Sequence, residues 1–259
     1  MRVAVLQYPI VWADVEQNLS EWEIRLRQIS GCADVAMLPE MFTTGFCTDC
    51  VELAEDFATS PTIAKLRCWA REFGMALFGS LMVSEFGRLY NRAFFVRPDG
   101  TADFADKRHL YAPGGEAEFF AAGQERKIVE YKGVKMCMLV CYDLRFPVWS
   151  RNVNGDDYDI LLYTANWPEV RVKYWDALLP ARAIENQCIV CAVNRVGDDG
   201  LGLHYNGHSS IIDTHLNHLV HFADDACQTQ IADVDISEVR RFRQHSPLWK
   251  DTDRFSITV

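Results

Sequence analysis

Three side chains able to carry out acyl chemistry lie far apart in the chain, each just past an apolar run: Glu40 after DVAMLP, Lys107 after DFAD and Cys141 after VKMCMLV. A thiolate attacks carbonyl carbon, a carboxylate held beside a cation can carry a proton back and forth, and an ammonium stabilises an oxyanion. Together they could open a carbonyl derivative through a thioester. Taken singly, each has a plainer reading: Glu40 as a cap or salt-bridge residue, Lys107 as a surface charge and Cys141 as a core thiol.

The context of Cys141 strengthens the chemical reading. It ends a hydrophobic run and is followed by YDLRFPVWSRN, where Asp143 and Pro147 suit a helix start. A strand-to-helix turn exposes the sulfur and sets backbone N–H groups, that of Tyr142 first, beside it. No histidine stands where a thiol's usual partner would, so the base is sought among the carboxylates, with Glu40 the candidate.

The elements that must position these residues follow from hydrophobic period. Apolar, β-branched runs at 2–8, 34–38, 75–83, 93–97, 134–140, 159–165, 189–194, 208–213 and 230–235 read as strands. EQNLSEWEIRLRQIS, with Leu19, Trp22, Ile24, Leu26 and Ile29 near one face, reads as a helix, as do PTIAKLRCWAREF and VKYWDALLPARAIE. Strand and helix alternate without a linker, which indicates one α/β domain over 1–259. Nine or more strands are many for a single open sheet, so two packed sheets with outer helices are expected. In such sheets ligand crevices form at the carboxyl ends of strands, where all three reactive residues fall. The final segment, about 245–259, has a strand-like end and no clear place in the core, so packing against a partner subunit is expected for it.

LPEMFTTGF, DKRHLY and VCYDLRFPVWSRN, in that order, resemble the Glu, Lys and Cys motifs of the nitrilase superfamily of carbon-nitrogen hydrolases, and the resemblance covers essentially the whole chain. It implies a four-layer αββα sandwich and a homodimer or higher homo-oligomer, and the thioester route read from Glu40, Lys107 and Cys141 requires no metal or organic cofactor. It also implies a second glutamate between the Lys and Cys motifs; in APGGEAEFFAAG the best match is Glu116, with Glu118 the rival. Further matches at YTANWPEVRVKYWDALLPARAIENQCIVCAVNRVG and YNGHSSIID are similar to the bacterial ω-amidase branch, which hydrolyses the terminal amide of 2-oxoglutaramate and 2-oxosuccinamate. Amidases of deaminated glutathione, of N-carbamoyl amino acids, and nitrilases are the alternatives within the superfamily.

A small anionic substrate calls for a cation and a snug apolar wall. Arg171 and Arg145 are candidates for the cation, although Arg145, like Arg182, could instead pair with Asp143 or Glu185. Trp167 and Phe42 are candidates for the wall, although aromatic residues more often serve as core.

The remaining composition narrows the classes. A formal net charge of -10, with both signs mixed along the chain, argues against nucleic acid or anionic membrane as a partner. The first residues carry no cleavage site and no bilayer-length span, so a cytoplasmic enzyme acting on small molecules is expected. The nine cysteines are scattered, mostly in apolar runs, and are expected to be reduced. Cys188 and Cys191 read as core thiols of a strand. Cys47 and Cys50 form a loop C-x-x-C without a second ligand pair, and His215, His218 and His221 sit around a hairpin turn, so no metal is expected at either place.

Overall fold

The structure, a computed structural model, describes residues 1–153, 155 and 157–253. In its first half strands β1 (Arg2–Gln7), β2 (Val35–Met37), β3 (Glu55–Asp56), β4 (Ala76–Glu85), β5 (Arg88–Val96) and β6 (Ala102–Asp106) alternate with helices α1 (Val15–Gln28) and α2 (Pro61–Phe73). After the short α3 (Glu116–Phe119) come β7 (Lys127–Tyr131), β8 (Val134–Val140), α4 (Pro147–Ser150), β9 (Ile160–Thr164), α5 (Val172–Asn186) and β10 (Ile189–Val193). The chain closes with β11 (Val196–Asp198), β12 (His204–Asn206), β13 (Ser210–Ile212), β14 (His218–His221), β15 (Gln228–Asp233) and α6 (Ile236–His245).

One sheet runs β15-β1-β2-β4-β5-β6, with β3 beside β4, and the other runs β14-β13-β10-β9-β8-β7; β11 and β12 form a separate hairpin. Alternation along the strands sorts their side chains. Val3, Val5, Val35, Met37, Phe78 and Phe95 of the first sheet share one core with Met136, Met138, Leu162 and Val190 of the second. The intervening Ala4, Leu6, Ala36, Leu77 and Phe94 pack outward on Trp22 and Leu26 of α1 and on Leu66 and Trp69 of α2. On the second sheet's side Trp175, Leu179 and Ala183 of α5 and Val239 of α6 are buried against it. The result is the αββα sandwich expected from the motifs.

Local signals set the helix ends. Asp14 accepts from the Gln17 N–H at the start of α1, Ser60 accepts from Ile63 at the start of α2 with Pro61 next, and Gly74 ends α2 at φ 67°. The helical face assigned to α1 needs one correction: Trp22 and Leu26 are fully buried, but Ile24 is 57% exposed. Two residues beyond Trp22 lies about 200° around a helix, on the solvent side.

The cysteines need a second correction. Cys188 and Cys191 are buried thiols as expected, but Cys47 and Cys50 are joined in a disulfide. In the C-terminal segment, Trp249 packs on its own chain, its backbone N–H donating to Gln187 Oε1 at 2.9 Å and its ring lying under the Arg243 guanidinium. The strand-like end, 254–259, lies outside the described residues. Among the described residues no helix is long and apolar enough to cross a membrane.

Candidate active site

β1, β2 and β4 run parallel in one sheet and β8, β9 and β10 parallel in the other, so both sheets present carboxyl ends at one edge. Glu40 follows β2, Lys107 follows β6, Cys141 follows β8 and Asn166 follows β9. The Thr164 hydroxyl donates to the Leu38 carbonyl at 2.8 Å, and the Asn166 N–H to Glu40 Oε2 at 2.7 Å, which ties the sheets together beneath this edge.

Lys107 is buried between two carboxylates, its Nζ 2.9 Å from Glu40 Oε1 and 2.8 Å from Glu116 Oε2. Asn91 Nδ2 donates to both acids, at 2.8 Å to Glu40 and 3.0 Å to Glu116, and the Tyr111 N–H donates to Glu116 at 2.6 Å. The register of the loop is thereby resolved: Glu116 belongs to the cluster and Glu118 is on the surface.

Burial works against the Lys107 ammonium, but Glu116 and then Glu40 prevail and its pKa is raised. Burial pushes the Glu116 carboxyl up despite Lys107. Burial, reinforced by Glu40, also raises the Cys141 thiol far above its ordinary value, against the pull of Lys107. The Cys141 Sγ donates to the Asn166 carbonyl at 3.8 Å, with Glu40 as its neighbouring carboxylate.

Cys141 has φ 44°, a left-handed conformation that non-glycine residues adopt at a cost and that recurs at functional sites. The element behind it differs from expectation. Instead of a helix there is a 3-10 turn, Cys141–Arg145, followed by the single-turn α4, so no long helix starts at the sulfur. Asp143, itself buried, holds this turn: it accepts from the Val140 N–H at 3.0 Å and from His109 N at 3.0 Å, with His109 Nδ1 at 2.8 Å. The His109 ring stacks on Phe146 at 3.6 Å.

A cleft of about 310 Å³ opens over Cys141, lined by Tyr142, Arg145, Trp167 and Arg171 as expected, and also by Phe46, Tyr111, Asn166, Tyr205 and the 199–203 loop. Phe42 is not part of the wall. It is fully buried and edge-on to Trp22 and Phe94 in the outer core, and Phe46, four residues on, faces the cleft instead. Among the described residues neither Arg145 nor Arg171 forms an ion pair. Arg145 lies 4.5 Å over Tyr174 and 5.3 Å over Trp167, and Arg171 lies 5.0 Å over Tyr111. Asp143 is taken by His109 and Val140, while Arg182 is structural, bound to Glu185 and to the Leu144 carbonyl. Asn166 gives its Nδ2 to the Glu40 carbonyl at 2.6 Å, and its buried Oδ1 has no partner among the described residues. A thiol, a proton carrier, a cation and a free acceptor thus meet at the floor of a cleft with two unpaired guanidinium groups.

The histidines suspected of metal binding do not form a ligand set: His215 faces Glu238 and His218 bonds Ser210. Among the described residues only Cys47, Asp49 and Cys50 cluster with ligand spacing, and there the sulfurs are bonded to each other.

Comparison with known proteins identifies the family of the chain. The family model described as carbon-nitrogen hydrolase matches residues 2–244. The chain is 43% identical to omega-amidase YafV of Yersinia enterocolitica, covering 99% of this chain and 98% of that protein. It is 32% identical to a 2-oxoglutaramate amidase of Bacillus subtilis over 96% of each. In structure it superposes with a TM-score of 0.96 on a CN-hydrolase superfamily protein from Xanthomonas campestris that carries an arsenic adduct in its active site, at 38% identity, covering 100% and 99% of the two chains.

Proposed function

The chain belongs to the carbon-nitrogen hydrolase family, and from that premise we propose that it is a cysteine-dependent ω-amidase, releasing ammonia from the terminal carboxamide of 2-oxoglutaramate and 2-oxosuccinamate. The observation that carries the reading is the buried Glu40–Lys107–Glu116 cluster beside Cys141, at the floor of a cleft whose guanidinium groups lack counter-ions. A dicarboxylic acid monoamide suits both parts: its amide end meets the cluster and its distal carboxylate meets Arg171 or Arg145.

The reaction runs in two halves. The Cys141 sulfur attacks the amide carbon as Glu40 takes the thiol proton, and the oxyanion is held by Lys107 and the Tyr142 N–H. The tetrahedral adduct collapses, Glu40 passes the proton to the departing nitrogen, and ammonia leaves a thioester on Cys141. Glu40 then deprotonates water, which attacks the thioester, and the thiol and free dicarboxylate are regenerated. Glu116 orients Lys107, and Asn166 Oδ1 accepts from the amide N–H.

The same reading carries a single domain acting in the cytoplasm as a homodimer or higher homo-oligomer. Val148, Val170, Tyr174 and Ile184, around the turn after Cys141 and along α5, are exposed apolar side chains that a subunit contact would cover. The test is ammonia release from 2-oxoglutaramate, glutamine and an N-carbamoyl amino acid by wild type and by Cys141→Ala. Cys141-dependent release from the keto amide, in excess over the others, is expected. Turnover of the N-carbamoyl compound alone would move the protein to another branch of the family.

A further inference from the structure

The loop that leaves Glu40 holds a second pair of sulfurs that the hydrolytic reaction does not use. Cys47 and Cys50 are seven and ten residues beyond Glu40, and their disulfide closes the segment between them. Cys47 is fully buried, whereas Cys50 is partly exposed. One sulfur is therefore open to a small thiol and the other is shielded.

This short ring is wired to the site on both sides. Phe46, adjacent to Cys47, lines the cleft, and the Lys107 Nζ lies 5.0 Å from its ring centre. Thr48, inside the ring, donates to the Gly114 carbonyl at 2.9 Å, two residues before Glu116. Gly114 packs so closely on Phe46 and Tyr111 that an added Cβ would lie 3.0 Å from the Phe46 ring and 2.8 Å from the Tyr111 ring. The loop after the base, the cleft wall and the loop bearing Glu116 are thus one packed unit, and the disulfide is its covalent clasp.

From this juxtaposition we propose that Cys47 and Cys50 are a reversible thiol–disulfide site that sets substrate affinity by fixing Phe46 and the Gly114–Glu116 segment. Disulfides in compartments kept reducing are usually transient and catalytic or redox-sensing, and a loop next to a cleft with one buried and one half-exposed sulfur suits that role. The exchange partner is a low-molecular-weight thiol and its disulfide. A thiolate of the small thiol attacks the Cys50 sulfur, breaks the Cys47–Cys50 bond, and leaves Cys47 as a thiolate that takes a proton. A second small thiol attacks the mixed disulfide and frees Cys50 as a thiol, with the small-molecule disulfide as the oxidised product. Reduction opens the ring, frees the loop and weakens the cleft wall.

The proposal builds on the amide-hydrolase reading for one readout but not for the other. The first readout is differential alkylation and mass spectrometry of the peptide spanning 47–50, after equilibration in glutathione buffers of graded ratio. The Cys141→Ala variant is used, so that the nucleophile cannot contribute. A two-electron transition of this pair is expected, and 2-oxoglutaramate should stabilise the disulfide by about fivefold or more, the low end of ordinary site-to-site coupling. The second is KM in the oxidised and reduced protein, where reduction should raise KM by a similar factor and re-oxidation restore it. Cys50→Ser and Cys50→Ala should both sit at the reduced value and ignore the buffer.

Pair alkylation at every buffer ratio would overturn the proposal. So would a KM response that survives in both Cys50 variants, since that would belong to Cys141, and so would stoichiometric zinc uptake that needs Cys50. A redox transition unaffected by amide would reject the coupling while leaving the hydrolase reading intact. Loss of 2-oxoglutaramate turnover in wild type at every ratio would reject that reading instead.

Discussion

The floor and the rim of the cleft are built on opposite plans. At the floor Glu40, Lys107 and Glu116 are buried, and Asn91 and two backbone N–H groups complete the bonding of the two acids. At the rim Arg145 and Arg171 rest on aromatic faces without a carboxylate, and Leu201 is 69% exposed. A buried ionic network held by many hydrogen bonds is rigid, and here only the Asn91 and Asn166 Oδ1 atoms are left without a partner among the described residues; a cation left unpaired near solvent keeps its charge for a ligand. Chemistry common to a family resides in the first kind of structure and substrate choice in the second.

Substitutions can test how cleanly the two regions divide. The largest effect is expected at the floor. Glu116→Gln keeps the shape of the side chain but loosens Lys107, and displacement of a catalytic group by about 1 Å can cost a hundredfold. Its kcat should fall by about that factor with KM little changed, whereas Glu118→Gln should leave both alone. Steady-state kinetics on the two variants checks this, and equal losses would remove Glu116 from the cluster's function.

A smaller effect is expected at the rim. A hydrogen bond to a charged partner contributes about 1.5–3 kcal/mol, so Arg171→Ala should raise KM for 2-oxoglutaramate by about tenfold or more and leave kcat within a few-fold. If Arg171→Ala leaves KM unchanged and Arg145→Ala raises it, the distal carboxylate belongs to Arg145. If neither does, the rim plays no part in recognition.

The smallest effect concerns the support behind the rim. His208, which follows the hairpin strand β12, has Nδ1 at 2.9 Å from Asp176 of α5 and Nε2 against Asp224, with Asn206 beside it and His221 at 6.3 Å. Both ring nitrogens face carboxylates, and only the imidazolium donates at both. Burial opposes that charge, but Asp224 and then Asp176 raise the pKa above its ordinary 6.5. A raised folded-state value means the contribution is fully present below about pH 6.5 and is lost as pH rises through the folded value. The stability difference between wild type and His208→Asn should therefore be about 1 kcal/mol or less at pH 6 and shrink by pH 9 in denaturant titrations. A difference that grows with pH would show that the neutral ring is the stabilising form.

Glu40, Lys107 and Cys141 could be read from the sequence because each is an ionisable or reactive residue just beyond a strand-like run, β2 and β8 apolar and β6 mixed. Asn91 and Asn166 could not, since an uncharged amide beside a strand carries no mark until the carboxylates it bonds are in place. The Asp143–His109 link was equally hidden: the two lie 34 residues apart and meet only when β6 and β8 bring their ends together. Phe42 was assigned to the wall by its nearness to Glu40. Beyond the end of β2 at Met37, Met41 takes φ 45° and Phe42 turns into the outer core, the Phe42 N–H donating to the Ser80 carbonyl. The C-x-x-C was visible as a motif, but its bonding depends on a loop path that composition does not encode.

The central claim is that the acyl group passes through Cys141. The direct measurement is mass spectrometry of the wild-type protein acid-quenched during turnover of 2-oxoglutaramate, since Glu40 serves both half-reactions and its removal would block formation of the thioester as well as its hydrolysis. An acyl adduct on the Cys141 peptide, absent with Cys141→Ala, is the predicted result. No adduct there, with ammonia still released by Cys141→Ala, would contradict the account.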